Sequence, residues 1–239
     1  MNARELYQAG KLAEAIEALT AEVRSNPADG QRRTFLFELL CFAGAFDRAG
    51  KQLDVLGQAG QEAAMGMLLY RAALHAEQIR HQMFAADQLP FSTRDPAPVT
   101  GTLNGKPFTS LVDGDPRIGA RLEVFAAGEY LWLPFEHVAS LRIEPPKRAR
   151  DLVWTPAIVR PSGSFKGGEL GEVLLPALTP GAWQHTDPQV QMGRVTEWQE
   201  LPDGREAPIG QKLLLVDDEE VSLLEVRTLE FTPAPTSAG

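Results

Sequence analysis

The histidines and the cysteine are the most reactive side chains of this sequence, and their spacing favours neither a metal site nor a nucleophile. His75 and His81 are six residues apart on a predicted helix, so the two rings do not share a face. His137 and His185 belong to no His-Glu-x-x-His motif, and there are no paired cysteines. Cys41 lies in an apolar run, which favours packing in a core over a reactive thiol. We therefore predict no metal site and no catalytic thiol.

Three further segments are similar to ligand-binding loops but lack residues that such loops need. Asp113-Gly114-Asp115 starts like a calcium loop, yet Ile118 and Val124 stand where that loop needs glycine and glutamate. The glycine-rich segment 162–168 has no Gly-Lys-Ser/Thr ending, and strand signals follow it. The acidic run 217–220 is interpreted as a solvated turn, with an acidic patch for a basic partner as the alternative. No catalytic residue and no cofactor are predicted.

The tryptophans support one alternative hypothesis in which the protein binds a small ligand. All of them lie in the second half of the chain: Trp132, Trp154, Trp183 and Trp198. Aromatic residues of a sheet mostly pack in the core, but Trp154 or Trp198 could line a pocket in which Arg194 holds a small acidic ligand. The second half would then be a ligand-binding or enzymatic domain. Arg194 could instead simply pair with Glu197 or Asp217.

The elements that position these residues begin with a helical segment that repeats itself after 34 residues. The repeat aligns Leu6, Gly10, Leu12, Ala15 and Leu19 with Leu40, Gly44, Phe46, Ala49 and Leu53. This is the period of the tetratricopeptide repeat, a helix-turn-helix unit that stacks into protein-binding surfaces. Gly10 and Gly44 then lie in the turns, and Ala15 and Ala49 lie where two helices approach closely. The repeat indicates a protein that binds other proteins.

Apolar periodicity predicts a helical unit over residues 1–88. The period runs from Leu6 to Val23, and further helices are predicted over 31–42, 47–56 and 62–86. The last of these helices does not continue the repeat, so only two repeats are visible. Because fewer than three repeats rarely bury enough surface to be stable alone, we expect the long last helix and the following domain to cover the exposed end.

A proline-rich linker is predicted over residues 89–101, followed by a β-rich domain over 102–231 and a disordered tail over 232–239. Asn104-Gly105 predicts a tight hairpin, and Pro156 inside an apolar run suits an edge strand or a bulge. The predicted fold class is α+β, with N-terminal tetratricopeptide-like helical hairpins followed by an irregular, mostly antiparallel β-sheet domain.

Composition excludes several classes of function. The net charge of -9 argues against nucleic acid as a partner, because phosphate binding needs a basic face. The one basic cluster, Lys147, Arg148 and Arg150, is interpreted as a solvated loop. No segment approaches the roughly 18 apolar residues that span a bilayer, and the chain does not open on a signal peptide. We therefore expect a cytoplasmic protein that contacts no membrane.

Four blocks in the second half resemble a known family. They are 151–157 (DLVWTPA), 171–178 (GEVLLPAL), 193–198 (GRVTEW) and 210–220 (GQKLLLVDDEE). In this order, behind a short tetratricopeptide-like start, they resemble the ImpE family, also called TagJ or SciE, over residues 4–231. The resemblance implies a cytoplasmic accessory protein of bacterial type VI secretion without established catalytic residues. It also implies that the partner is the N-terminal helix of the sheath subunit TssB, with an indirect effect on sheath recycling by the ATPase ClpV.

The leading hypothesis is therefore an adaptor that binds an amphipathic helix in a groove. The groove would lie on the repeat helices, on the long fourth helix, or at the seam with the sheet domain. Candidate lining residues are Tyr7, Phe35, Phe42 and Tyr70. A scaffold that self-associates through its sheet edges is a third possibility, because exposed edge strands invite pairing.

Overall fold

Helices fill the first part of the chain. The structure, a computed structural model, describes residues 1–90, 96–217 and 219–233. The helices are α1 (Ala3–Gln8), α2 (Leu12–Ser25), α3 (Gly30–Phe42), α4 (Phe46–Gly57) and α5 (Gln61–Ala85). Their bounds confirm the predicted helices to within two residues at most ends. None of the helices in the described ranges is long and apolar enough to cross a bilayer.

Local sequence explains where these helices begin and turn. Asn2 and Glu5 form a capping box at the start of α1, in which each backbone N–H donates to the other side chain at 3.0 Å. Gly10 and Gly44 have φ of 82° and 63°, which confirms the turns predicted from the repeat. Ala15 and Ala49 are completely buried, as close approach of paired helices requires.

Antiparallel strands fill the second part. They are β1 (Gly101–Leu103), β2 (Lys106–Phe108), β3 (Leu111–Asp113), β4 (Arg121–Ala126), β5 (Glu129–Pro134), β6 (Val138–Ile143), β7 (Trp154–Pro161), β8 (Gly171–Pro176), β9 (Glu197–Glu200), β10 (Glu206–Ile209), β11 (Leu213–Val216), β12 (Glu219–Ser222) and β13 (Thr228–Phe231), with a short helix α6 (Pro188–Gln191) before β9. Eight strands form one sheet in the order β2-β1-β13-β6-β7-β8-β4-β5. Smaller sheets pair β12-β11-β3 and β10-β9. The α+β class is confirmed.

Of the two local predictions in the β-rich part, the Asn-Gly hairpin and the proline at an edge strand, only the first agrees with the structure. The Asn104-Gly105 hairpin is confirmed: it joins β1 to β2, and both residues have positive φ, as a tight primed turn requires. The edge-strand interpretation of Pro156 is wrong, because β7 lies inside the sheet between β6 and β8. Pro156 is tolerated there because β6 ends at Ile143, which pairs with Ala157, so no β6 residue faces the missing N–H.

The helices and the large sheet share one hydrophobic core. Phe37 of α3 packs against Trp154 of β7 with ring centroids 6.1 Å apart, and α5 runs along β5. The first helix of the second repeat therefore faces the sheet instead of a third repeat. The division into domains at 1–88, 89–101 and 102–231 stays a prediction. Part of the predicted linker (91–95) and most of the predicted tail (234–239) lie outside the described residues.

We predict that Gly44→Ala lowers the free energy of unfolding by about 2 kcal/mol, because a side chain at positive φ is strained and its Cβ would lie 2.3 Å from the Trp183 ring. Gly66 of α5 is the matched control, since no atom lies within 4 Å of its added Cβ. Gly66→Ala should stabilise the protein by about 0.5–1 kcal/mol through helix propensity. Urea unfolding measures both; equal effects would contradict the packing at Gly44.

Candidate partner-binding groove

Three of the four predicted groove residues form one aromatic cluster on α1 and α3. The Tyr7 ring meets Phe35 edge-on at 5.7 Å and lies 6.2 Å from Phe42. Tyr7 and Phe35 are half-buried, whereas Phe42 has no exposed surface. Phe42 therefore supports Tyr7 from the core side and does not reach solvent. Tyr70 of α5 packs instead on Phe37, at 6.1 Å.

Tyr7 and Phe35 line an open cavity of about 740 Å³. Its walls are residues 4–8 of α1, residues 31–38 of α3 and the connecting segment 146–152 that precedes β7. We call this cavity the α1–α3 groove. It lies at the seam between the repeat helices and the sheet, one of the three positions that the sequence left open.

Arginines stack on three of these aromatic rings. The guanidinium carbon of Arg4 lies 5.4 Å from the ring centroid of Phe35, and that of Arg150 lies 4.4 Å from Tyr70. Arg194 lies 4.9 Å from the Tyr7 ring and donates to the backbone oxygens of Tyr7 (2.7 Å) and Gln8 (3.0 Å). A guanidinium over an aromatic face is attracted by the ring quadrupole. These contacts fix the aromatic side chains in place.

The position of Arg194 differs from both sequence-based interpretations. Its hydrogen bonds go to the C-terminal carbonyls of α1, where a cation also complements the helix dipole. Asp217 instead accepts from Thr109 and Ser110, and the carboxylate of Glu197 lies 3.6 Å from His185. Arg194 thus ties α1 to the segment that precedes β9.

Trp154 and Trp198, the other residues of the hypothetical ligand pocket, lie in unlike environments. Trp154 is 1% exposed, and its Nε1 donates to Glu77 Oε2 at 2.8 Å. Trp198 is 39% exposed on β9, opposite Pro208 of β10. The burial of Trp154 leaves its ring no surface for a ligand. The described contacts of Arg194 include neither tryptophan.

A cluster of buried charges lies between α5 and the sheet. Arg80 is 0% exposed and donates to both oxygens of Glu123 on β4, at 2.7 and 3.0 Å. It also donates to Glu77 at 2.9 Å and to the Leu178 backbone oxygen at 3.0 Å. Burial alone would raise the pKa of Glu77, but the Arg80 charge and hydrogen bonds from His81 and Trp154 lower it to about 2. The Arg80 charge likewise holds the pKa of Glu123 well below its usual range against burial.

Lys212 and Asp113 extend this cluster toward β3. The Lys212 ammonium pairs with both Asp113 and Glu123, and all three side chains are buried. The cluster thus contains three carboxylates, those of Glu77, Glu123 and Asp113, and two cations, Arg80 and Lys212. Burial, together with the Glu123 charge, raises the pKa of Asp113 to about 6 despite Lys212. The cavity that touches Glu77 has a volume of only about 10 Å³, so a substrate cannot enter beside it.

The ion pairs also involve the calcium-loop-like motif. Asp113 pairs with Lys212 and Asp115 with Arg117, so the two aspartates that start like a calcium loop are committed to internal cations. No group of metal-ligating side chains is found within residues 1–90, 96–217 and 219–233. Sequence reasoning missed Arg80, although Glu77 and Arg80 are three residues apart on a predicted helix, a spacing at which oppositely charged side chains can pair.

A second open cavity, of about 700 Å³, lies on the opposite helices. Its walls are α2 and the start of α4, with Leu12, Ile16 and Thr20 on one side and Ala45 and Arg48 on the other. It contains no aromatic side chain. It therefore offers a partner less specific contact area than the α1–α3 groove does.

We predict that Arg80→Met lowers the free energy of unfolding by about 3–5 kcal/mol, because it leaves the buried carboxylates of Glu77 and Glu123 without their cation. Arg71→Met is the matched control: Arg71 pairs with Asp54 at 2.8 Å, but both side chains are about half exposed. That change should cost less than about 1 kcal/mol. Chemical denaturation of both variants tests the prediction, and similar losses would count against a structural role of the buried pair.

Comparisons with known proteins agree with this architecture. A profile of the ImpE protein family matches residues 105–230. The chain is 34% identical to the type VI secretion system accessory component TagJ of Pseudomonas aeruginosa, over 98% of this chain and 92% of that protein. The crystal structure of a protein from Vibrio parahaemolyticus superposes with a TM-score of 0.82 at 22% identity, over 96% of this chain and 97% of that one, and shows the same fold. The chain therefore belongs to the ImpE family.

Proposed function

We propose that this protein is a non-enzymatic adaptor of a type VI secretion system that binds the N-terminal helix of the sheath subunit TssB. The proposal places that helix in the α1–α3 groove and the protein in the cytoplasm. Binding there would influence sheath assembly or, indirectly, sheath recycling by ClpV. Family membership supports the secretion role, and the relative from Pseudomonas aeruginosa carries the description of an accessory component.

The observation that carries the proposal is a pair of rigid aromatic side chains in an open groove. Tyr7 and Phe35 remain half-buried in the monomer, although Phe42 beneath them is fully buried. Aromatic side chains held in a fixed orientation are typical anchors of protein interfaces, because they bury large area at little entropic cost. The groove lies between helices, which suits an amphipathic helix whose apolar residues recur at i, i+3, i+4 and i+7.

The architecture also explains why this end of the repeats remains available. The sheet packs on α3 and α5 through Phe37, Trp154 and the Arg80 cluster. It does not cover α1 and the beginning of α3, where the cavity of about 740 Å³ opens. The two repeats thus bury part of their surface against the sheet, while the surface of α1 and the start of α3 stays accessible to a partner.

We predict that Phe35→Ala weakens binding of TssB by about tenfold or more, since loss of an interface aromatic anchor typically costs above 1 kcal/mol. Trp198→Ala is the matched aromatic control, because Trp198 is exposed on β9, outside the groove. It should bind TssB as the unchanged protein does. Isothermal titration with purified TssB gives both dissociation constants.

The partner requires its own control. TssB that lacks its N-terminal helix should not bind the unchanged protein, whereas intact TssB should. Equal binding of the two forms would refute the proposal that the helix is the ligand. Loss of binding in Trp198→Ala together with full binding in Phe35→Ala would refute the position of the groove.

A further inference from the structure

The rim of the α1–α3 groove is basic, on a chain whose net charge is -9. Lys147 and Arg148 are exposed on the connecting segment, and Arg4 is exposed on α1 on the other side of the groove. None of these three side chains forms an ion pair within the described ranges. Elsewhere, some exposed cations such as Lys11 and Arg71 pair with neighbouring carboxylates, whereas others such as Lys51 form no ion pair within the described residues. Three exposed cations without an ion-pair partner in the described residues therefore line this one groove.

The carboxylates near the groove offset this charge only in part: Glu38 interacts with Arg150, Arg148 and Arg4, and the exposed Glu144 interacts with Lys147. Glu38 is 6% exposed and lies 3.6 Å from Arg150, so a neighbouring cation already balances it. Burial raises the pKa of Glu38, an effect that the Arg150 charge opposes. Asp151 is also buried, and it accepts hydrogen bonds from the backbone N–H groups of Lys147 (2.9 Å) and Arg148 (3.0 Å).

The Asp151 hydrogen bonds restrict the backbone that carries Lys147 and Arg148. A carboxylate that holds two successive backbone N–H groups fixes the turn in one conformation. The turn then presents Lys147 and Arg148 beside the groove without the entropic cost of ordering a loop on binding. Lys147 and Arg148 of the predicted solvated loop are indeed exposed, and the Asp151 hydrogen bonds hold their backbone in the groove wall.

We propose that the α1–α3 groove binds an acidic, amphipathic helical segment of a protein, with apolar residues on Tyr7 and Phe35 and carboxylates facing Arg4, Lys147 and Arg148. This inference rests on the proposed function, and it adds the charge that the partner segment must carry. Charge complementarity at the rim of an interface mainly sets selectivity and association rate, and salt screens it.

The first test compares two synthetic peptides with the full-length protein by fluorescence anisotropy. One peptide is an 18-residue helix with leucine on one face and glutamate along the other; the second has glutamine in place of every glutamate. The glutamate peptide should bind about tenfold more tightly at 50 mM NaCl, and most of this difference should be lost at 500 mM. Equal affinities at low salt would overturn the proposal.

The second test asks which basic side chains attract the glutamate peptide. The double variant Lys147→Glu/Arg148→Glu should weaken binding of the glutamate peptide by about tenfold or more. Lys51→Glu/Lys106→Glu is the matched control, since it changes the net charge equally at two exposed lysines outside the groove. Circular dichroism establishes that both variants fold. Equal weakening by the two double variants would overturn the proposal, because only overall charge would then matter.

A third comparison separates this inference from the proposed function and from nucleic-acid binding. Groove-dependent binding of the glutamate peptide without binding of TssB would contradict the proposed function alone. Binding of TssB that the double variant Lys147→Glu/Arg148→Glu leaves unchanged would contradict the acidic-segment inference alone. An oligothymidylate that binds the same rim more tightly than the glutamate peptide would assign the surface to phosphates and overturn the inference.

Discussion

The ion pairs of Arg80 are the interaction on which the rest of the structure depends. A completely buried guanidinium on α5 is held by Glu77 of its own helix, by Glu123 of β4 and by the Leu178 carbonyl. Apolar surfaces can slide over one another at little cost in free energy. A buried cation that loses hydrogen-bond contact with its carboxylates destabilises the fold, because nothing then compensates its lost hydration. Arg80 therefore fixes the position of the helices on the sheet. This position also sets the seam at which the α1–α3 groove opens.

The rest of the fold covers apolar surface that two repeats alone would leave exposed. Repeat proteins bury their core by stacking, and a short stack ends in exposed apolar surface. Here α5 packs on α4, and the sheet covers α3: Trp154 packs on Phe37, and its indole N–H donates to Glu77. Arg194 holds the end of α1 from the other side. These contacts hold α1 and α3 beside the groove, so the proposed partner would meet a preformed surface.

The helical part could largely be predicted from the sequence because its signals are local. Gly10 and Gly44 mark turns by their need for positive φ, and the 34-residue spacing identifies equivalent positions. The strand order could not be predicted, because pairing in a sheet depends on distant residues. Pro156 shows this: only the end of β6 at Ile143 explains how a proline fits inside the sheet. The burial of Phe42 could not be distinguished from a groove position by periodicity alone.

The aromatic residues of the candidate groove could be selected from the sequence, but its charged residues could not. Tyr7 and Phe35 could be selected by residue type, whereas the arginines that stack on them come from elsewhere in the chain or required the helix geometry. Lys147 and Arg148 were visible as a cluster, but only the Asp151 hydrogen bonds show that they belong to a fixed wall.

The most direct test of the adaptor function is backbone hydrogen exchange of this protein with and without a peptide of the TssB N-terminal helix. A groove that binds this helix predicts slower exchange in α1, in the first two turns of α3 and in segment 146–152, with β9 and β10 unchanged. Protection confined to β9 and β10, or no protection at saturating peptide, would contradict the account.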